Sequence, residues 1–324
     1  MAVDRDIGVA VATAWGASVG PGRVGWEMTA ATGVRGLRLL HESGAFGEFR
    51  LTEANPEAAG VLARNAVRFP GATAAHGDGR DPPGPEPFDF VDLDPYGSPV
   101  EFVPTAVRAL RPGGVLAVTA TDMMVLAGVQ KGACERRYGA TPVRGRLGPE
   151  GGLRILLGFL AREARARGRS IRPLLAYARD HHVRAYVELR TAEGSDPVGR
   201  IDPSTWTGPP LGTRGPYGPL WLGPLFDARL VRALRPPEHC ARPEETRRFL
   251  ERLAEEVEAD VPFYYESNRL AHELHLASPP SMVSVLDVLR ARGFRSARTH
   301  ARPEGFRTDA PREVVESVAR YAAR

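Results

Sequence analysis

Cysteine is nearly absent from this chain: Cys134 and Cys240 stand far apart with no CxxC pair, which excludes a disulfide framework and a cysteine-built zinc site. The eight histidines form no HxxxH or HExxH spacing, so no metal is expected. His181 and His182 are adjacent, which in a strand points them to opposite faces, as ordinary structural histidines. No run of about eighteen apolar residues exists, and Asp4, Arg5 and Asp6 interrupt the mildly apolar start, so neither a membrane-spanning helix nor a signal peptide is indicated. The chain reads as cytoplasmic. Lysine is missing too: of 43 Lys+Arg residues only Lys131 is lysine, and the net charge is +4. Guanidinium groups bind phosphate bidentately and stack on bases, so an arginine-heavy surface suits nucleic acid, although high genomic GC content or thermal adaptation gives the same bias.

The 324 residues, 43% of them hydrophobic, suit one large core and a smaller second one. From residue 22 to about 120, short apolar runs alternate with helical patterns, as in a parallel sheet built from strand-helix units. Residues 23–28, 48–53, 72–78, 88–94 and 115–121 read as five strands. Residues 33–43, 56–69 and 99–111 read as helices, the second opening with Pro56 in its first turn and the third stopped by Pro-Gly-Gly. This predicts a doubly wound, mostly parallel α/β domain, in which ligands sit at the carboxyl ends of the strands. A helix over 150–168 with a stripe at Leu153, Leu156, Leu157 and Leu160, then strands at 171–178 and 183–190, would complete the sheet. Residues 193–224 hold seven Gly and seven Pro, which predicts an irregular connection. A smaller α+β domain should follow, with helices near 243–258, 266–275 and 281–292 and a strand at 294–300. The expected division is therefore 1–192, 193–224 and 225–324.

The chemistry lies at the strand ends. Residues 28–36, Met-Thr-Ala-Ala-Thr-Gly-Val-Arg-Gly, form a small-residue loop entering a helix, as where a cofactor meets backbone amides; the absent GxGxxG disfavours a nicotinamide dinucleotide. Glu53 ends the second strand, where a carboxylate can bond both hydroxyls of a ribose. Asp78 ends the third, placed to accept from an adenine amine with the Gly79 backbone at the same ring. Each acid alone is as consistent with a cap or a solvated loop. After the fourth strand, Asp94-Pro95-Tyr96-Gly97 supplies an acceptor, a rigid carbonyl and a ring able to stack on a base. Methylation of an aromatic amine calls for that set, because acceptors aimed at the NH2 protons help its nitrogen become tetrahedral as it attacks a sulfonium methyl. The same four residues also suit a plain β-turn.

The run 88–122 from Phe88 through Asp122, with "CERRYGATPVR" (134–144), "GLRILLGFLAREA" (152–164) and "PLLAYARDHHVRAYVEL" (173–189), closely resembles the tRNA guanine-26 N2-dimethyltransferases of archaea and eukaryotes. The resemblance covers nearly the whole chain and includes an ending motif at 297–311, with Arg307 where a lysine is usual. It implies a Rossmann-like class I methyltransferase domain, S-adenosyl-L-methionine as cofactor, tRNA as partner, and two successive methyl transfers to N2 of one guanine. By matching position it implies that Arg5 and Arg35 contact the cofactor together with Glu53, Asp78 and Gly79, and that Asp94, Pro95 and Tyr96 hold the target guanine. Without the resemblance, the two arginines would be read as solvated surface groups.

Two departures accompany this. The family usually begins with a longer segment holding a Phe-Tyr-Asn-Pro-like stretch, whereas here the chain starts almost at the Arg-Asp pair. Many members carry a cysteine zinc knuckle where this chain has its Gly/Pro-rich stretch, so zinc is not inherited. Residues 143–172 contain eight arginines against Glu150 and Glu163, a phosphate-tracking stripe or a solvated helix face. The C-terminal domain is expected to grip the tRNA body, with Tyr264, Tyr265 and Phe294 as core. A monomer is the default oligomeric state. An amine methyltransferase on another RNA or DNA base and a non-catalytic tRNA-binding homologue are the competing readings.

Overall fold

The computed structural model describes residues 2–85, 87–212 and 215–323. Helix α1 (Ala2–Val19) buries residues on nearly every side, among them Ile7, Val11 and Trp15. It was not anticipated as an element, because a helix apolar all round carries no 3.6-residue contrast. Strand β1 (Arg23–Glu27) leads into α2 (Val34–Glu42), β2 (Phe46–Glu53) and α3 (Pro56–Ala66). Asn55 caps α3, its side chain accepting from Glu57 N and Ala58 N at 3.0 and 3.1 Å, and Pro56 occupies the first turn, where its missing N–H costs nothing.

Next come β3 (Ala72–His76), β4 (Phe88–Leu93), α4 (Val103–Ala109) and β5 (Leu110–Ala120). All six residues of β4 are buried, as expected of a central parallel strand covered on both faces. After α5 (Met123–Leu126), α6 (Lys131–Tyr138) and α7 (Gly148–Arg165), strands β6 (Arg169–Arg179) and β7 (His182–Thr191) close the sheet. Its order is β3-β2-β1-β4-β5-β7-β6. Only β7 runs against its neighbours, pairing antiparallel with both β5 and β6. This is the doubly wound, mostly parallel sheet expected, with its crossover point between β1 and β4.

Residues 193–224 depart from the expectation of irregular structure. Strands β8 (Val198–Ile201) and β9 (Tyr217–Trp221) form a two-stranded antiparallel ribbon. Proline survives within it because a two-stranded ribbon consists only of edges. Buried Ile201, Tyr217, Leu220 and Trp221 press the ribbon onto α7. The approach is close enough that a Cβ at Gly158 would lie 3.1 Å from Leu220 Cα. The arginines of 143–172 do not form one stripe. Arg154 is fully buried on Glu150, Arg165 pairs with Asp196, Arg167 with Glu163, and Arg172 with Glu188 and Asp227. Arg162 and Arg169 donate to main-chain carbonyls, while Arg144 and Arg146 stay exposed.

Helices α8 (Ala228–Ala233) and α9 (Pro243–Glu256) still belong to the main core through Val231, Leu250 and Leu253. A second core gathers beyond them. Strand β10 (Tyr265–Glu266), α10 (Ser267–Glu273), α11 (Met282–Ala291), β11 (Ser296–Arg298), β12 (Gly305–Thr308) and α12 (Arg312–Ala322) enclose Tyr265, Leu270, Leu289, Phe306 and Val318. The small sheet is ordered β10-β12-β11. Tyr264 and Tyr265 are buried and Phe294 packs partly buried on this core, as anticipated.

Arg307 joins the two cores. It has no exposed surface; its Nε donates to Glu256 Oε1 at 2.5 Å, and its Nη1 to Glu150 Oε1 at 2.9 Å and to the carbonyls of Val261 and Phe263. Where the resemblance leads one to expect lysine, the guanidinium fork serves two carboxylates at once.

Candidate active site

Five parallel strands end at the same edge of the sheet, and residues just past β1, β4 and β5 border a cleft of about 670 Å³. Arg5 from α1, Glu27 at the end of β1, Arg35 from α2, the turn Asp94–Gly97 after β4 and Thr121 after β5 line it. Asp180 and His181, between β6 and β7, form the far lip with His182. The structure therefore brings Arg5, Arg35, Asp94, Pro95 and Tyr96 together.

Arg35 is buried and ion-paired with Asp94, with Asp92 3.7 Å away. Burial pushes the Asp94 carboxyl up, but the charges of Arg35 and Arg184 outweigh it and hold the group below the usual carboxylate range. Asp94 N donates to Thr29 Oγ1 at 3.3 Å, which ties the turn to the loop after β1. Pro95 is buried, whereas the Tyr96 ring is fully exposed at the cleft mouth. Gly97 and Thr121 exchange main-chain and side-chain bonds at 2.8 and 2.9 Å, which fixes the turn against β5. Arg5 is half-buried on the cleft wall and makes no hydrogen bond or ion pair among the described residues.

Glu53, Asp78 and Gly79 stand beside this lining rather than in it. Glu53 Oε2 accepts from Ala31 N at 2.6 Å and Oε1 from Asn55 N at 2.8 Å, so the carboxylate braces the loop that borders the cleft. Asp78 is turned toward Arg80, whose hydrogen bonds pull its carboxyl down to about 2. Gly79 sits against the same loop: a Cβ there would lie 2.2 Å from Met28 O, so no larger residue fits.

Several groups escaped the reading of the sequence. Glu27 accepts from Gly36 N at 2.9 Å, and burial, reinforced by Asp92, pushes its carboxyl up to about 8. Its signal was available, since it ends a strand at the level of Glu53 and Asp94. Asp92 is fully buried and paired with Arg184 at 2.5 Å; Arg184 also donates to Thr119 Oγ1 and Tyr186 Oη. That pairing arises from the contact of β7 with β5, which no local pattern announces. His182 is buried on Asp4 at 2.9 Å and His181 is exposed at the lip, so the neighbours do face opposite ways.

A strand-end cleft with an Asp-Pro-Tyr-Gly turn held by a buried arginine is one setting for methyl transfer to an amine, and comparison with known proteins decides the family. The profile of the family described as N2,N2-dimethylguanosine tRNA methyltransferase matches residues 1–198 and 211–320. The chain belongs to this family. It is 37% identical to the tRNA (guanine(26)-N(2))-dimethyltransferase of Thermococcus kodakarensis, over 98% of this chain and 91% of the relative. The enzyme of the same name from Pyrococcus abyssi is 32% identical over 98% and 90%. The solved complex of Trm1 from Pyrococcus horikoshii with S-adenosyl-L-methionine superposes with a TM-score of 0.84 at 31% identity, covering 98% of this chain and 92% of that one. The N2,N2-dimethylguanosine tRNA methyltransferase fold thus extends over both cores, including the Gly/Pro-rich ribbon in part.

Proposed function

We propose that the protein transfers methyl groups from S-adenosyl-L-methionine to the exocyclic N2 of guanine 26 in tRNA, twice, giving N2,N2-dimethylguanosine. The observation that carries this is the Asp94-Pro95-Tyr96 turn, clamped by Arg35 at the carboxyl end of β4, in a chain belonging to the family. The cleft suits the cofactor. Arg35 Nη1 is buried with no hydrogen-bond partner among the described residues, which leaves a donor for a carboxylate, and Glu53 offers acceptors for ribose hydroxyls at the rim. Arg5, Arg35, Glu53, Asp78 and Gly79 are our candidates for cofactor binding. When bound, S-adenosyl-L-methionine supplies an electrophilic methyl group.

Asp94, Pro95 and Tyr96 act on the guanine. The Asp94 carboxylate, kept ionised by Arg35 and Arg184, accepts from the amine N–H, orients the nitrogen lone pair, offsets positive charge as it develops and takes up the proton the nitrogen loses. The Pro95 carbonyl offers the second acceptor, and the exposed Tyr96 ring offers a stacking face. After one transfer the amine retains one N–H, which is enough for the same acceptor to orient it again. The guanine must first leave its stack, at a cost of a few kcal/mol.

We assign catalysis to residues 1–192, a connection to 193–224 and tRNA gripping to 225–324. No helix among the described residues is long and apolar enough to cross a membrane. We place the activity in the cytoplasm, carried out by a monomer without metal. Incubation with unmodified tRNA and S-adenosyl-L-methionine, followed by nucleoside mass spectrometry, tests the proposal. Dimethylguanosine mapped to position 26 is expected. Methylation of a different base would move the activity to another amine, and tRNA binding without any methylation would leave only a binding protein.

A further inference from the structure

Exposed large apolar side chains are few among the described residues, and Val67, Val283 and Tyr321 among them do not line the cleft. Of seven, Val34 and Tyr96 line the cleft, and Met124 and Val129 stand on the segment that follows β5. That segment is fastened to the floor of the cleft. Thr121 is bonded to Gly97, and Tyr138 Oη joins Ser98 Oγ at 3.0 Å and Asp122 Oδ1 at 2.9 Å. The turn is also rigid. Val125 and Leu126 are buried beneath it, Gln130 N donates to Met124 O at 2.7 Å, and the Arg144 guanidinium clamps it by donating to the carbonyls of Gly128 and Val129. Met124 is 57% and Val129 60% exposed although their neighbours are anchored in the core. Met124 lies three residues past Thr121, which lines the cleft, so the exposed apolar groups follow directly on the cleft wall, where such groups mark a contact surface.

The surroundings say what covers it. Residues 123–146 carry five cations; Arg137 pairs with Asp122, Arg146 with Glu266 and Lys131 with Glu135, while Arg136 and Arg144 have no carboxylate partner among the described residues. Beside them runs a groove of about 490 Å³ lined by Lys131, Arg144, Arg146 and Arg269, with no carboxylate in its lining among the described residues. An apolar tip next to a cationic groove fits a nucleic-acid stack: the tip meets base faces while the cations meet phosphates. A protein partner of ordinary composition would not need that concentration of positive charge.

We propose that Met124 is a wedge. On the reading that this cleft methylates a tRNA guanine, the target base swings in over Tyr96, and the Met124 side chain enters the gap it leaves. Lys131 and Arg144, which line the neighbouring groove, hold the flanking phosphates. Methionine suits the task because its thioether is polarisable and its unbranched chain adapts to an irregular gap. Met124 touches no reacting atom; it is a positioning residue that stabilises the flipped state.

The test compares wild type, Met124→Ala and Met124→Leu on two substrates: unmodified tRNA, and the same tRNA with an abasic site facing the target guanine, where extrusion is cheap. Met124→Ala is expected to lower kcat/KM about tenfold on the first substrate and to fall within about twofold of wild type on the second. Met124→Leu, which keeps the apolar bulk, is expected to stay within about twofold of wild type on both. Equal activity of wild type and Met124→Ala on unmodified tRNA overturns the wedge, as does the same loss on both substrates or a leucine variant as impaired as alanine. Failure of wild type to methylate either tRNA is a different result: it overturns the functional reading itself.

Discussion

Replacing Asp94 by Asn tests the proposed role of the charge at the cleft floor with little change of shape. A positive charge developing on an amine nitrogen about 3 Å from the carboxylate gains about 5.5 kcal/mol at an effective dielectric of about 20. The repulsion from Arg35 is the same in both proteins and cancels, and with about half a unit charge developed at the transition state the lost attraction is about 2.8 kcal/mol, which predicts a loss of about 10² in the methyl-transfer rate for Asp94→Asn. Arg35 keeps Asp92 nearby, so the cofactor-binding side should be little disturbed. Single-turnover transfer of labelled methyl groups measures the rate, and titration calorimetry measures cofactor affinity. A rate within threefold of wild type would refute the electrostatic role of Asp94, and a collapse of cofactor affinity would show that its part is structural.

Other perturbations reach the surrounding groups. Glu53→Ala frees Ala31 N and Asn55 N and removes the ribose acceptors, so cofactor affinity by calorimetry should fall about tenfold or more; an unchanged Kd removes Glu53 from the site. The Glu27 carboxyl titrates near 4.3 in an unfolded chain and at about 8 here, so folding takes up a proton between those values and loses stability as pH rises through that window. Urea unfolding of wild type and Glu27→Gln should then give the same difference in stability below about pH 4 and an increasing advantage to the variant up to about pH 8; a difference that does not change with pH would contradict this. Arg307→Ala leaves Glu150 and Glu256 buried without their shared counter-charge and should reduce unfolding free energy by about 3–5 kcal/mol, with Arg307→Lys intermediate. An unaltered denaturant midpoint for Arg307→Ala would refute that reasoning.

The parallel sheet was legible because each of its strands is a short apolar run closed by turn residues, and because its polar groups come directly after those runs. Glu53, Asp78 and Asp94 are visible for that reason. Asp92 and Arg184 were not: an aspartate inside the all-buried β4 and an arginine inside β7 look like interruptions until β7 lies beside β5, where Thr119 faces Arg184. The arginines of 143–172 misled in the opposite direction. Their spacing allows a stripe, but Arg154, Arg165 and Arg172 are engaged by carbonyls and carboxylates brought up by β9, the residues before β8 and the cap of α8, and only Arg154 is fully buried. The β8–β9 ribbon was hidden by its own glycines and prolines, which mark turns in a sheet interior and are tolerated at its edges.

The Arg307 fork has a consequence for the order in which the protein is made. Glu150 leaves the ribosome with the first half of the chain and Glu256 well after it, yet the group that neutralises both arrives with β12, close to the end of synthesis. Every cleft residue described above has been translated by then. Until Arg307 is in place, α7 carries a carboxylate facing its own core with Arg154 as its only guanidinium. All the cleft residues thus precede, in chain order, the strand whose arginine ties α7 to α9.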